Sequence, residues 1–408
     1  MRTFKKLLAV ASVTATATAL AVVPAMADPI GNSGKPVTPK ASDIVGFGSD
    51  TIQNLFDQYS LDYNKTIKAS APHLYSWDAT NPKTAAVHDL IRAKTGCAKA
   101  QRPNGSSEGI LGSAGGPYGL TANTPDPKGG TKFCSDFARS SRARSTLTDP
   151  PAGPGGIVFV AFGHDAVTWA TNAKSNAPAN LTTAQLASIY TCAVTNWHQV
   201  GGKNAPINAQ LPQTGSGTRK FFLTALGSGT PITPGACVDS SANESPNNLP
   251  EENEGVNKYL KGPNVIYPYS IGKYIAQVYH SAKCLNKSCT PVRGVTCKPS
   301  KTQNRFGCDT HGSMVLHLLN GTKPTKPFPL PKPPCTTKCP VLSTSFSPAF
   351  VRFVFVVVRW SAHTAGNIPK NLEGIFGAKG WICTNKTAKT DLANYGFGSL
   401  GRLCGASS

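Results

Sequence analysis

The sequence predicts an α/β fold on three observations. Strand-like and helix-like segments alternate along much of the chain, residues 157–162 form an unbroken apolar strand, and two strands end in glycine turns that open helices. An unbroken apolar run of this length is the pattern of a strand covered on both faces of its sheet. The first glycine turn lies in Ile44-Val45-Gly46-Phe47-Gly48-Ser49-Asp50-Thr51, the second in Leu211-Pro212-Gln213-Thr214-Gly215-Ser216-Gly217-Thr218. A helix opening at such a turn directs unpaired N–H groups, hydroxyls and the positive end of its dipole at one point, and that point attracts an anion. Two such starts facing each other make a cleft.

Taken in order, Arg2, Lys5 and Lys6 precede an apolar run over residues 7–23 and then Ala25-Met26-Ala27, which reads as a secretory signal peptide cut after Ala27. Residues 28–41 are polar and proline-bearing, a flexible leader. A strand is expected over 43–48, then an amphipathic helix over 50–63 whose apolar face is Ile52, Leu55, Phe56, Tyr59 and Leu61. A second helix fits 85–94, and the glycine-, proline- and serine-rich residues 101–131 read as a surface loop. Residues 135–145 begin as a strand and become a loop carrying Arg139, Arg142 and Arg144 among hydroxyls. After Pro-Gly punctuation comes the apolar strand at 157. A capped helix follows over 181–190, then a strand over 208–211 that feeds the second glycine turn, a helix over 254–260 and a strand over 264–267. Residues 282–345 interrupt the alternation with six cysteines and a proline-rich run, and read as a disulfide-stapled insertion. A strand over 351–359 and a helix near 372–376 resume it.

All twelve cysteines lie beyond the signal peptide, and an even count in an exported chain reads as disulfides. Cys97 with Cys134, Cys192 with Cys237, and Cys383 with Cys404 are plausible local pairs; six cysteines between Cys284 and Cys339 leave their connectivity open. Removing the signal leaves 38 basic against 20 acidic residues, a net charge of +18. That favours anionic partners. The basic residues are spread out and form no block interleaved with aromatics, so no nucleic-acid partner is expected.

Together these segments resemble the phosphate-binding proteins of bacterial ABC importers, within the type II periplasmic-binding-protein fold. The Gly-Ser-Gly-Thr helix start at Gly215-Ser216-Gly217-Thr218 is the most specific element. The resemblance implies a two-lobed α/β fold with a cysteine-rich insertion: residues 42–160 and 268–408 form lobe I, and 161–267 form lobe II. It implies an exported, monomeric binding protein that captures phosphate or a phosphate-like oxyanion between the lobes for a membrane ABC permease. No cofactor is expected.

By the same resemblance, Asp50 and Thr51 beside Ser49 touch the anion at the first helix start, Ser140 supplies a hydroxyl, and Ser216, Gly217 and Thr218 form the second start. Two positions depart from the family. Its carboxylate, directly after the equivalent of Ser140, is Ser141 here, and an arginine expected four residues before Ser216 is Pro212. Asp50 is a candidate to restore the acceptor, and Arg139, Arg142, Arg144 and Arg219 are candidate counter-charges, Arg142 first among them. A buried anion needs such charge or several strong donors.

The residues give no support to a catalytic site. Ser216 lacks the first glycine of G-x-S-x-G, and His164-Asp165 reads as structural or as part of a hinge. Glu251, Glu252 and Glu254, the only acidic cluster, read as a solvated helix start without a metal motif. Two alternatives remain in view: a secreted phosphatase-like hydrolase, and an envelope-associated or adhesive protein that kept the scaffold and lost phosphate binding.

Overall fold

The structure, a computed structural model, describes residues 28–29, 31, 36–82, 86–113, 116–122, 133–239, 249–280, 310–328, 339–362 and 365–408. The signal peptide lies outside these residues, as does most of the cysteine-rich insertion.

The first strand, β1 (Ile44–Gly48), is buried at all five positions. It leads through a 3-10 turn, Asp50–Ile52, straight into α1 (Gln53–Thr66), whose Leu55, Phe56 and Tyr59 are fully buried as the apolar spacing requires. Next come β2 (Leu74–Ser76), the short antiparallel pair β3 (Leu90–Ile91) and β4 (Ala100–Gln101), and α2 (Gly105–Leu111). The helix expected over 85–94 is therefore not formed. Ile91 and Ala93 instead pack as extended chain against Phe47, Tyr75, Trp77 and Tyr118, in a cluster that includes the Cys97–Cys134 disulfide, and tertiary packing overrides the local pattern. The loop expected over 101–131 also contains a helix, α2.

Beyond β5 (Phe137–Ser140) runs β6 (Ile157–Asn172), 16 residues long and buried at all but one position. The apolar run at 157–162 marked only its first part, because the later Thr168, Thr171 and Asn172 find partners inside. The chain continues through β7 (Asn180–Leu181) and α3 (Thr183–Tyr190), the latter opened by a Thr182–Gln185 capping box. Then follow β8 (Asn208–Gln210), α4 (Gly217–Leu226), β9 (Val238–Asp239), β10 (Val265–Ser270) and α5 (Ile271–His280). Of the expected helix over 254–260, only a 3-10 turn at Lys258–Leu260 forms. Four short strands follow, β11 (Met314–Leu316), β12 (Leu318–Leu319), β13 (Thr325–Phe328) and β14 (Cys339–Leu342). The chain closes with β15 (Val351–Arg359), α6 (Lys370–Phe376), α7 (Trp381–Thr384) and α8 (Lys386–Asn394).

One nine-stranded mixed sheet joins these elements in the order β2-β1-β5-β15-β6-β10-β8-β9, with β11 added against β6. Parallel pairing at β1–β2, β1–β5, β8–β10 and β8–β9 is the mark of α/β crossovers; β15 and β10 lie antiparallel to β6. β6 changes partner along its length: β15 lies against residues 157–166 and β10 against 167–170. The register with β15 slips by one residue between Val354 and Phe355, leaving Phe162 as the extra residue of a bulge.

Two large apolar clusters sit on either side of that exchange. One gathers α1, the first part of β6, β15 and α6 to α8; the other gathers α3, α4, the later part of β6, β8 and β10. All three disulfides expected from local spacing are formed. The segment read as a flexible leader is tied down where it is described, because the Asp28 carboxylate pairs with buried Arg102 and the Val37 amide donates to the Pro29 carbonyl at 2.9 Å. Among the described residues no helix is long and apolar enough to cross a membrane.

Candidate functional site

Three sequence-distant segments bring hydroxyls to one buried point. The first helix start follows β1: Ser49 caps it, its Oγ accepting from the Thr51 amide at 3.2 Å, which leaves the Thr51 hydroxyl pointing onward. The second follows β8: Ser216 caps α4 by accepting from the Arg219 amide at 3.1 Å, which leaves both the amide and the hydroxyl of Thr218 uncommitted to the helix. The third is the end of β5, where Ser141 Oγ accepts from Ser49 Oγ at 2.9 Å and lies 3.3 Å from Ser106 Oγ of α2. Thr51 Oγ1 and Thr218 Oγ1 are 3.2 Å apart. The two helix starts face each other, as a cleft requires.

Gly217 is what lets the segments approach. A Cβ there would fall 2.4 Å from Ser141 Oγ and 2.5 Å from Ser106 Oγ. Only glycine fits without moving them.

The centre of the site is a carboxylate. Glu252 Oε1 accepts from four donors: Thr51 Oγ1 at 3.0 Å, Ser141 Oγ at 3.2 Å, the Thr218 amide at 2.8 Å and the Thr218 hydroxyl. Four donors on one oxygen, two from the start of α4, is the arrangement that holds an oxyanion. Glu252 is 2% exposed, so the reading of the acidic cluster as a solvated helix start is corrected: the carboxylate turns inward because a ring of donors waits there. Its neighbour Glu251 accepts from Asn104 Nδ2 at 2.6 Å, and burial, with the Glu254 carboxylate next, pushes the Glu251 carboxyl up to about 8.

Beside the carboxylate stands Arg352 of β15. Its Nη2 donates to Thr218 Oγ1 at 3.0 Å and to Thr51 Oγ1 at 3.4 Å, and its Nε and Nη2 both reach Asp165 Oδ2, at 3.1 and 2.8 Å. The guanidinium also lies over the Phe221 ring at 5.5 Å. Asp165 takes further donors from Ser270 Oγ at 2.8 Å and the Gly272 amide at 3.0 Å, so this fully buried acid is well held. Arg352 Nη1 and Glu252 Oε2 are buried without a partner among the described residues.

The other residues singled out from the sequence lie around this centre with different partners. Asp50 pairs with Lys273 Nζ at 2.9 Å, so the acceptor at the centre is Glu252 and not Asp50. Arg139 is fully buried but spends its guanidinium on the carbonyls of Ser49 and Gly48 and on Ser76 Oγ; burial lowers its pKa beside Asp57 and Asp78. Arg142 is bidentate on Asp149, at 2.5 and 2.9 Å, and Ser140 Oγ donates to the Arg142 carbonyl at 2.7 Å. The cation at the centre is thus Arg352, and not an arginine of the loop at 139–144. A lone arginine inside the apolar run 351–358 was the available signal, since a charge in a buried strand must have a partner. Neither Glu252 nor Ser106 had one.

A model of the PBP superfamily domain matches residues 33–302. The chain belongs to the PBP superfamily. Among solved structures it is similar to an ABC-type phosphate transport receptor from Vibrio cholerae, with 15% identity and a TM-score of 0.46 over 87% of this chain and 99% of that one. It is also similar to PstS from Borrelia burgdorferi, with 15% identity and a TM-score of 0.39 over 88% of this chain and 98% of that one. A human phosphate binding apolipoprotein gives 12% identity and a TM-score of 0.42, over 88% and 92%. The α/β, periplasmic-binding-protein type of fold expected from the sequence is the fold of this PBP superfamily member.

Proposed function

We propose that this PBP superfamily member is an exported solute-binding protein that captures phosphate, or a phosphate-like oxyanion, between two lobes and delivers it to an ABC importer. The observation that carries the reading is the convergence of Thr51, Ser141 and Thr218 on a single oxygen, with Arg352 alongside. A tetrahedral oxyanion offers such an oxygen and the negative charge to match it. No catalytic residue is assigned: Ser216 caps α4, its Oγ accepting from the Arg219 amide.

We assign residues 42–160 with 268–408 to one lobe and 161–267 to the other; β6 exchanges β15 for β10 between Ala166 and Val167, and β11 and β12, although within 268–408, pair with β6 and β7 of the second lobe. Thr51 then belongs to one lobe and Thr218 to the other. A ligand bridging them favours the closed form, which is the form an importer reads. Export rests on the signal sequence ending at Ala27 and on the disulfides.

Calorimetric titration of the mature protein with phosphate, then with sulfate at fixed ionic strength, tests the reading. Phosphate binding that is weakened in Thr218→Ala supports it. Absence of heat with either anion, from protein shown to be folded, sinks it in favour of an envelope role without phosphate capture.

A further inference from the structure

The donors that make this site fit for an oxyanion already hold one, and it belongs to the chain. Glu252 Oε1 takes the Thr51, Ser141 and Thr218 donors together, while its second oxygen is buried with no partner among the described residues. A carboxylate kept there as permanent structure would be expected to satisfy both oxygens, since an orphaned buried acceptor is costly. Across the site, Arg352 Nη1 is orphaned in the same way, a buried donor that Glu252 does not reach. The carboxylate fills the site incompletely.

The backbone on either side of Glu252 is pinned independently of the hydrogen bonds that its carboxylate accepts. The Glu251 carbonyl accepts from Tyr267 Oη at 2.7 Å, and the Asn253 carbonyl accepts from Tyr269 Oη at 2.6 Å and Gln277 Nε2 at 2.9 Å. Asn253 Oδ1 also accepts from the Ser270 amide at 2.8 Å. Displacement of the carboxylate thus calls for rotation about its own side-chain bonds, the backbone of the loop being held by these four bonds. With Thr51 and Thr218 hydroxyls 3.2 Å apart, their shared position admits one anionic oxygen at a time.

We propose that Glu252 is a tethered internal anion that occupies the oxyanion position of the unliganded protein and is displaced when phosphate binds. This rests on the reading of the site as a phosphate site. Competition from a tethered group lowers the apparent affinity by the fraction of molecules in which the site is free. Glu252 thereby sets the phosphate concentration at which the protein loads, and it balances the buried donors and Arg352 between loads.

The test titrates inorganic phosphate into the mature wild type and into Glu252→Gln and Glu252→Ala, and follows exchange of the Thr218 amide without phosphate. Both variants are expected to bind phosphate about tenfold more tightly or better, as removal of a competitor holding nine sites in ten requires. The Thr218 amide should exchange faster in Glu252→Ala than in the wild type, and be protected again once phosphate is added. Weaker phosphate binding in both variants overturns the proposal and makes Glu252 a ligand contact of the loaded state. Unchanged affinity with unchanged exchange overturns it as well. Faster Thr218 exchange in the variant with no phosphate heat from any of the three proteins defeats the phosphate reading alone, because the carboxylate's hold on the site would stand. Glu252→Gln, nearly isosteric, keeps the test open if the alanine variant fails to fold.

Discussion

The two helix starts look alike in sequence and differ in what they offer. At Ser49-Asp50-Thr51 the cap consumes the Thr51 amide, and Asp50 is paired with Lys273, so only a hydroxyl reaches the centre. At Ser216-Gly217-Thr218 the cap is satisfied one residue further on, by Arg219, and both amide and hydroxyl of Thr218 reach it. The difference arises from the first turn of each helix: the first opens as a 3-10 turn, in which the cap bonds two residues on, the second as an α-helix, in which it bonds three on. A shared Ser-x-Thr pattern does not by itself fix how many donors a helix start presents.

The largest expected effect comes from removing the cation that serves both starts. Arg352→Leu leaves fully buried Asp165 without its counter-charge, and denaturant unfolding should show a loss of ~3–5 kcal/mol together with loss of phosphate binding. Stability unchanged within error would show that Ser270 and Gly272 suffice to hold Asp165. Gly217→Ala comes next, driving a methyl into Ser141 and Ser106; a cost of ~1–3 kcal/mol in stability and loss of measurable phosphate binding are expected. Native-like affinity in that variant would mean the hydroxyls do not need their present spacing.

The contrast between the starts is sharpened by removing one hydroxyl at a time. Thr51→Val deletes everything the first start gives the centre, whereas Thr218→Val leaves the amide. Each should weaken phosphate binding by ~1–3 kcal/mol, with Thr51→Val the more costly; the reverse order in calorimetry would break the comparison. The acidic loop beside the second start should show in the pH dependence. Burial raises the Glu251 carboxyl to about 8 from an ordinary 4.5, so its contribution to stability is full below about 4.5 and declines as pH rises to about 8. Thermal midpoints of Glu251→Gln should fall less steeply over that interval than those of the wild type. An identical slope would locate the effect elsewhere. Smallest are the caps: Ser49→Ala and Ser216→Ala should each cost ~1 kcal/mol of stability, read by denaturant unfolding.

Much of this was legible in the sequence because local chemistry decided it. The strand at 351–359 and the Thr182-capped helix carry their own period and cap, and three disulfides join cysteines close in sequence. Both helix starts were visible for the same reason. What escaped depended on distant partners. Residues 85–94 have helical spacing but are claimed by the cluster around Phe47 and Tyr118. Ser106 lies in a glycine-rich stretch that reads as loop until α2 packs against β5. Glu252 turns inward only because Thr51, Ser141 and Thr218 surround it, and no pattern near residue 252 announces residues some 34 to 201 positions away. The arginines at 139 and 142 were conspicuous among hydroxyls, yet Gly48, Ser49, Ser76 and Asp149 engage them.

The bulge at Phe162 has a consequence for the charges at the centre. Had β6 and β15 kept straight register past Phe355 and Ala161, Arg352 would stand opposite His164, whose pKa burial lowers, and not opposite Asp165. The one-residue slip is taken up by a phenyl ring that is 2% exposed and packs edge-on against Phe56 of α1. An aromatic contact in the apolar core thus chooses which side chain Arg352 meets three places further along the strand. The charge pairing at this site is decided partly by grease: a repacked core at Phe56 or Phe162 that relaxed the slip would exchange the arginine's anionic neighbour for an uncharged ring while leaving every hydroxyl of the site in the sequence.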